Sequence, residues 1–223
     1  MRECLVCDLG FMEYGQALAL QEKLHAARKN GRISDIVLLV EHPPVITMGR
    51  HAVHGNIVVD DGILSVASID VFHTGRGGDV TFHGPGQLVV YPILNLVENG
   101  LTVTSYVWKL EEVMIRTLAA IGINGERIPA WRGVFVGGEK IGALGVRISG
   151  GVTMHGLAFN VNTDLEYFGY IVPCGLKGVK VTSVARLKEQ EIYMPAVKEV
   201  VMVKFGDIFH FSGRFTEAKE LKI

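Results

Sequence analysis

The chain has 223 residues, 48% of them hydrophobic, and its 22 basic and 23 acidic side chains leave a net charge of -1. That length and hydrophobic content suffice for a packed core, and the balanced charge excludes a global basic field of the kind that holds nucleic acid. No apolar run approaches the roughly 20 residues of a membrane-spanning helix. Glu3 and Asp8 interrupt the apolar opening that a secretory leader would need, so a soluble cytoplasmic protein is expected.

In chain order, Cys4-Leu5-Val6-Cys7 comes first. With Cys174 the cysteines number three, an odd count without framework spacing that fits a reducing compartment. No second Cys-x-x-Cys or Cys/His pair completes a zinc site. No metal is expected, and the first two cysteines read as small residues of an N-terminal strand. Glu13 to Asn30 carries Leu18, Leu20, Leu24 and Ala27 among polar residues, an amphipathic helix ended by Gly31. Asp35 to Glu41 is a short buried strand, after which Pro43 and Pro44 favour an extended, edge-like path to Arg50. Ile57 to Val59 and Leu64 to Val71 read as short strands.

The stretch from Thr74 to Gln87 then places five glycines and Pro85 between two apolar runs. It forbids a helix and suits backbone that approaches a ligand closely. Arg76, Thr81 and His83 are threaded through it; the plainer alternative is a long glycine-rich hairpin. Pro85-Gly86 reads as a turn returning the chain to a strand. Val103 to Ile121 is a helix opened by Thr102 or Thr104 and closed by Gly122. Its apolar face holds Val107, Leu110, Met114, Leu118 and Ile121, with Glu111, Glu112 and Arg116 turned outward.

Gly133 to Ser149 and Val152 to Asn162 read as two strands joined at Gly150-Gly151, and Asp164 to Cys174 as a third extended stretch. Ala196 to Phe211 is a helix with Pro195 at its start. Runs of strands between separated helices imply an α+β fold with a mixed, largely antiparallel sheet. No tract is rich enough in Pro, Ser or charge to split domains, so one domain over residues 1–223 is expected.

Two residues invite chemistry. Cys174 follows Pro173 and precedes Gly175, a setting that exposes a thiol at a turn; a buried inert thiol is the alternative. Lys140 opens a strand of small and apolar residues, where partial desolvation would lower its pKa and make it a base or acid. An ordinary hairpin lysine beside Gly137-Gly138 would instead point to water. In contact, the two would make a nucleophile with its own proton acceptor.

The run from Arg76 to Gln87 resembles the signature of the lipoyl(octanoyl) transferases. So do Glu41-His42-x-Pro44-Val45 with Gly49-Arg50, Gly138-x-Lys140-Ile141, Thr153-x-His155-Gly156-x-Ala158-x-Asn160-Val161, and Pro173-Cys174-Gly175 with Thr182-Ser183. The blocks run in order from Glu41 to Arg186. The resemblance implies a fold related to biotin and lipoate ligases and class II aminoacyl-tRNA synthetases. It also implies transfer of an octanoyl group from acyl carrier protein to a lysine of a lipoyl domain, in 2-oxo acid dehydrogenases and the glycine cleavage H protein, by a monomer. By position, Cys174 is the acyl-thioester nucleophile and Lys140 the residue that lowers its pKa. Substrate would be lined by Arg76, Gly77, Gly78, Asp79, Val80, Thr81, Phe82 and His83, by Ala143, Leu144 and Gly145, and by Gly156, Leu157 and Ala158.

Because the donor thioester is already activated, no nucleotide or other cofactor is expected. Backbone N–H groups near Leu144 and Gly145 are candidates for the oxyanion hole, with His83 as a further donor or orienting group. His155 has a weaker claim on a role, since a strand histidine can simply bond a neighbouring backbone. Val80, Phe82, Leu144, Leu157 and Ala158 are expected as apolar walls. Arg50, Arg76, Arg132, Arg147, Lys177 and Lys180 would form a docking rim for acidic partners. Two departures from the family pattern stand out: Gly142 in place of Ala, and the turn Ile148-Ser149-Gly150-Gly151, which bears on partner contacts. An ATP-dependent lipoate or biotin ligase, an amidotransferase between lipoyl-bearing proteins, and a non-catalytic binder are the alternatives.

Overall fold

Strand β2 (Ile36–Glu41) is buried at every position but the last because helices cover both of its faces. It lies near the middle of an eight-stranded sheet in a computed structural model that describes residues 2–173 and 178–221. Its sheet partners are β1 (Arg2–Phe11), β6 (Gln87–Ile93), β7 (Glu126–Ile128), β8 (Trp131–Val136), β9 (Glu139–Ser149), β10 (Val152–Asn160) and β11 (Phe211–Phe215). The order across the sheet is β11-β1-β2-β6-β10-β9-β8-β7. Only the β11-β1 and β1-β2 pairs are parallel; every other pair is antiparallel.

Side-chain alternation sorts the core into layers. Val37, Leu39, Leu88 and Val90 face helices α3 (Val103–Ala120) and α5 (Met194–Phe209). Ile36, Leu38, Val89 and Tyr91 face α1 (Tyr14–Lys29). Cys4 and Cys7 point to opposite layers of β1 and are both buried, as small strand residues. Arg28, near the end of α1, is itself buried and donates to Asp35 at 2.7 Å and to Glu98 at 2.6 Å, which anchors the helix to the sheet.

A second, three-stranded sheet has the order β4 (Asp70–His73), β3 (Val45–Met48), β5 (Val80–His83). Its core of Ile46, Met48, Val80, Phe82 and Phe168 is separate from the other two layers. The short helices α2 (Asp61–Val66) and α4 (Val184–Lys188) complete the set. Among the described residues no helix is long and apolar enough to cross a membrane.

Several expectations need correction. The expected strand from Leu64 to Val71 begins instead in a helix, residues 61–66, which Asp60 caps by accepting the Ile63 N–H at 2.9 Å, and only its last two residues lie in a strand, β4. The predicted strand Gly133 to Ser149 is a hairpin: Gly137 and Gly138 both take positive φ, 56° and 81°, and reverse the chain between β8 and β9. Asp164 to Cys174 is not extended, since residues 166–170 coil into a short 3-10 turn; Cys174 itself lies outside the described residues. The path after Pro43-Pro44 is the central strand of the small sheet rather than an edge, the prolines sitting just before the ladder begins. Glu111 turns inward to a buried site, where it accepts from Arg127 at 3.0 Å and from the Gly133 N–H at 3.2 Å. On α1 the buried face is Tyr14, Ala17, Gln21, Leu24 and Arg28, while Leu18, Leu20 and Ala27 are half-buried.

Candidate active site

Where the small sheet meets the α1 face of the large one, the two border a narrow slot. Its floor is the antiparallel pair β9-β10, in which Ala143 lies opposite Ala158 and Gly145 opposite Gly156. Small residues are needed there, because a Cβ on Gly145 would stand 2.9 Å from Arg76 Cδ and 3.2 Å from the Gly77 carbonyl oxygen. The roof is Thr81 and His83 of β5 together with the Arg76 to Asp79 loop.

Hydrogen bonds hold the roof. Arg76 is buried; its Nε donates to Thr47 Oγ1 at 3.1 Å and its Nη1 to the Gly77 carbonyl at 3.0 Å. The Gly77 N–H donates to Val146 of β9 at 2.9 Å, tying roof to floor. His83 Nδ1 donates to Gln87 Oε1 at 2.7 Å, and Gln87 Nε2 donates to Asn160 Oδ1 at 2.9 Å. Asn160 Nδ2 in turn donates to the Thr182 carbonyl at 3.1 Å.

One end of the slot is closed by Tyr14, Tyr91 and His155. Behind it His42 Nδ1 donates to the Met12 carbonyl at 2.7 Å and its Nε2 accepts from the Tyr91 hydroxyl at 2.8 Å. His155 takes a left-handed φ of 59°, and its N–H leaves the β6 ladder to donate to Gln21 Oε1 at 2.9 Å. Burial pushes the imidazole of His42 down to about 4 and those of His83 and His155 to about 3, so all three are neutral near pH 7.

Lys140, nearly fully buried, sits beyond the other end of the slot. Its backbone N–H donates to the Lys180 carbonyl at 2.8 Å and its carbonyl accepts from Thr182 at 2.9 Å. Its ammonium lies 5.7 Å over the Phe135 ring. The small chamber around it is walled by Pro173, Asn160 and Gln87 and shares Thr81 and Ala143 with the slot. A slot floored by alanine and glycine beside a buried amine suits the class of enzymes that handle slender apolar chains.

Comparison with known proteins supports that class and narrows it. Residues 13–206 match the family described as "Lipoyl protein ligase A/B catalytic domain". The chain is 48% identical to an octanoyltransferase of Caldicellulosiruptor bescii over 92% of this chain and 90% of that one. It is 53% identical to an octanoyltransferase of Solibacter usitatus over 84% of each. Among solved structures, a lipoate-protein ligase of T. acidophilum with bound lipoic acid has a TM-score of 0.80 at 19% identity, covering 99% of this chain and 91% of that one. A biotin protein ligase of Aquifex aeolicus has a TM-score of 0.53 at 14% identity, over 94% and 70%. These likenesses establish a shared fold. The chain belongs to the lipoyl protein ligase A/B catalytic domain family and, within it, to the octanoyltransferases.

Of the residues singled out for substrate, Arg76, Gly78, Asp79, Thr81, His83, Ala143, Leu144, Gly145, Gly156, Leu157 and Ala158 border the slot. Gly77, Val80 and Phe82 do not: Gly77 is bonded to Val146, and the other two alternate to the opposite face of β5, into the small sheet's own core. The side chains of Leu144 and Leu157 likewise pack toward α3 and α5, so they are not apolar walls of the slot. Arg76 is buried and leaves the expected docking rim, whereas Arg50, Arg132, Arg147 and Lys180 are exposed; Lys177 lies outside the described residues. Sequence reasoning passed over Tyr14, Val89 and Tyr91, of which only Tyr91, a hydroxyl inside an apolar strand, left a signal.

Proposed function

We propose that the chain moves an octanoyl group from acyl carrier protein to a lipoyl-domain lysine through a thioester on Cys174, with Lys140 handling the protons. One observation carries this reading. Pro173, the residue before Cys174, walls the same chamber as buried Lys140, and that chamber shares Thr81 and Ala143 with the slot. From Ala143 to Val146, which pairs with His155, the floor runs three residues, about 10 Å of strand and the reach of an extended octanoyl chain.

The Cys174 thiol gives its proton to the Lys140 amine, and the resulting thiolate attacks the donor's thioester carbonyl. As the tetrahedral intermediate collapses, the donor's sulfur leaves and takes the proton from Lys140. The acceptor lysine, arriving as a neutral amine, then attacks the Cys174 thioester; Lys140 takes the proton that the amide nitrogen must lose, and Cys174 departs as thiolate. The dyad is restored without ATP.

For the oxyanion the Leu144 N–H is the better donor. The Val146 carbonyl accepts from Gly77, so Val146 faces away from β10, and two residues earlier so does Leu144. The Gly145 N–H faces β10 instead. Exposed Arg50, Arg132, Arg147 and Lys180 supply a positive rim for the acidic donor and acceptor proteins.

The test is mass spectrometry after mixing with octanoyl-acyl carrier protein. One octanoyl group should appear on Cys174, and Lys140→Met should slow its appearance about 10²- to 10⁴-fold. Lipoyl-domain octanoylation from free octanoate and ATP by Cys174→Ala would establish the ligase reading instead.

A further inference from the structure

Asp79 was expected to contact substrate, yet its carboxylate is occupied by the protein. Oδ1 accepts the Val80 N–H at 2.8 Å and the Val53 N–H at 3.1 Å, and Oδ2 accepts from the side-chain amide of Asn56. The Asn56 backbone carbonyl in turn accepts the Val172 N–H at 2.7 Å, two residues before Cys174. Next to it, Ile57 pairs with Ile171, and the Val58 N–H donates to the Tyr170 carbonyl at 2.8 Å. The other edge of the same segment is laced to the slot's roof: Arg50 N–H to the Arg76 carbonyl at 2.9 Å and His51 N–H to the Gly78 carbonyl at 3.1 Å. Residues 49–58 therefore form a strap between the roof and the approach to Cys174, and the Asp79–Asn56 pair is the side-chain contact that fixes its middle.

We propose that Asp79 and Asn56 are positioning residues for the nucleophile, setting where the chain emerges from Val172 relative to the slot. The proposal rests on Cys174 being the acylated residue. A contact between a carboxylate and an amide can be exchanged: with Asp79→Asn, the new Oδ1 still accepts from Val53 and Val80 while Nδ2 donates to an aspartate introduced by Asn56→Asp. The single change Asn56→Asp instead sets two carboxylates face to face.

Two readouts test it: the single-turnover rate of Cys174 octanoylation from octanoyl-acyl carrier protein, and the pH midpoint of Cys174 alkylation by iodoacetamide. Asn56→Asp should slow octanoylation about 10- to 100-fold, the weight of one hydrogen bond to a charged group. It should also shift the alkylation midpoint upward and leave the half-saturating donor concentration nearly unchanged. The double variant should recover to within about threefold. Should Asn56→Asp fail to give a cooperative thermal melt, Asp79→Ala takes its place with the same expected losses. Wild-type octanoylation in either single variant, or a double variant no better than Asn56→Asp, would overturn the proposal. Lys140→Met separates the two readings: an unmoved alkylation midpoint there defeats the Cys174–Lys140 dyad, whereas a midpoint moved by Lys140→Met but not by Asn56→Asp defeats only the strap.

Discussion

The slot's floor and its roof are built of opposite materials. The floor exposes Ala143, Gly145, Gly156 and Ala158, and its hydrogen bonds belong to the β9-β10 ladder, so what it offers a ligand is shape. The roof presents Arg76, Thr81 and His83 and is held by side-chain hydrogen bonds, Arg76 to Thr47 and His83 to Gln87, which itself reaches Asn160 of β10. Adding an atom to the floor acts at once on backbone. Altering the roof acts through protons and hydrogen bonds, and therefore depends on pH.

The largest effect belongs to the floor. A Cβ on Gly156 would lie 2.1 Å from the Val90 carbonyl oxygen and 2.7 Å from Pro92 Cδ, where β10 leaves β6 at His155. Neither neighbour is the end of a flexible side chain, so the sheet itself must part. Gly156→Ala should cost more than about 3 kcal/mol, in the range of severe overpacking, read as a drop in denaturant midpoint. A loss below about 1 kcal/mol would mean that the floor yields as readily as the roof.

The roof and the closed end of the slot should respond to acid. His42, His83 and His155 are held neutral by burial, with pKa values of about 4, 3 and 3. The unfolded chain, with imidazoles near 6.5, binds protons first as pH falls, so stability is full above about 6.5 and is lost progressively below it. Each group should remove about 1.4 kcal/mol for each pH unit below 6.5 until its folded value is reached. Thermal melts between pH 7 and pH 4.5 should fall steeply, and His42→Gln should flatten the fall by about one third. An unchanged slope in that variant would show that His42 titrates as if solvated.

The same division explains what was legible in the sequence. Elements whose signals are local were read within a few residues: α1, α3 with its Thr102 cap, α5 with Pro195 in its first turn, and the apolar β2. The glycine loop was legible from its spacing, whereas the floor's small residues came only with the family resemblance. What failed depended on distant partners. Nothing near Glu111 says that Arg127 will draw it inward, and nothing near Arg76 says that Thr47 will bury it. Nor does any spacing predict that Asp79 reaches Asn56. Two local misses, the Asp60 cap and the Gly137-Gly138 turn, came from letting apolar runs outweigh turn and cap chemistry.

The smallest effect lies beneath the floor, at Gly142, where the family resemblance implies alanine. Gly142 stands in β9 between Lys140 and the slot, and an added Cβ would meet Met114 Sδ of α3 at 2.4 Å, with Met114 Cε at 3.2 Å. The methionine fills the space that an alanine methyl would take, so the departure is a matched pair across the helix–sheet interface rather than a loss. Because the obstacle is a flexible thioether, Gly142→Ala should cost only about 1 kcal/mol by stability measurement. Shortening the helix residue, Met114→Val, should by itself leave a cavity and cost about 2 kcal/mol. If the two positions are complementary, the double variant should be more stable than Met114→Val alone. Strict additivity of the two losses would show that the two positions do not share one space and would defeat the matched pair.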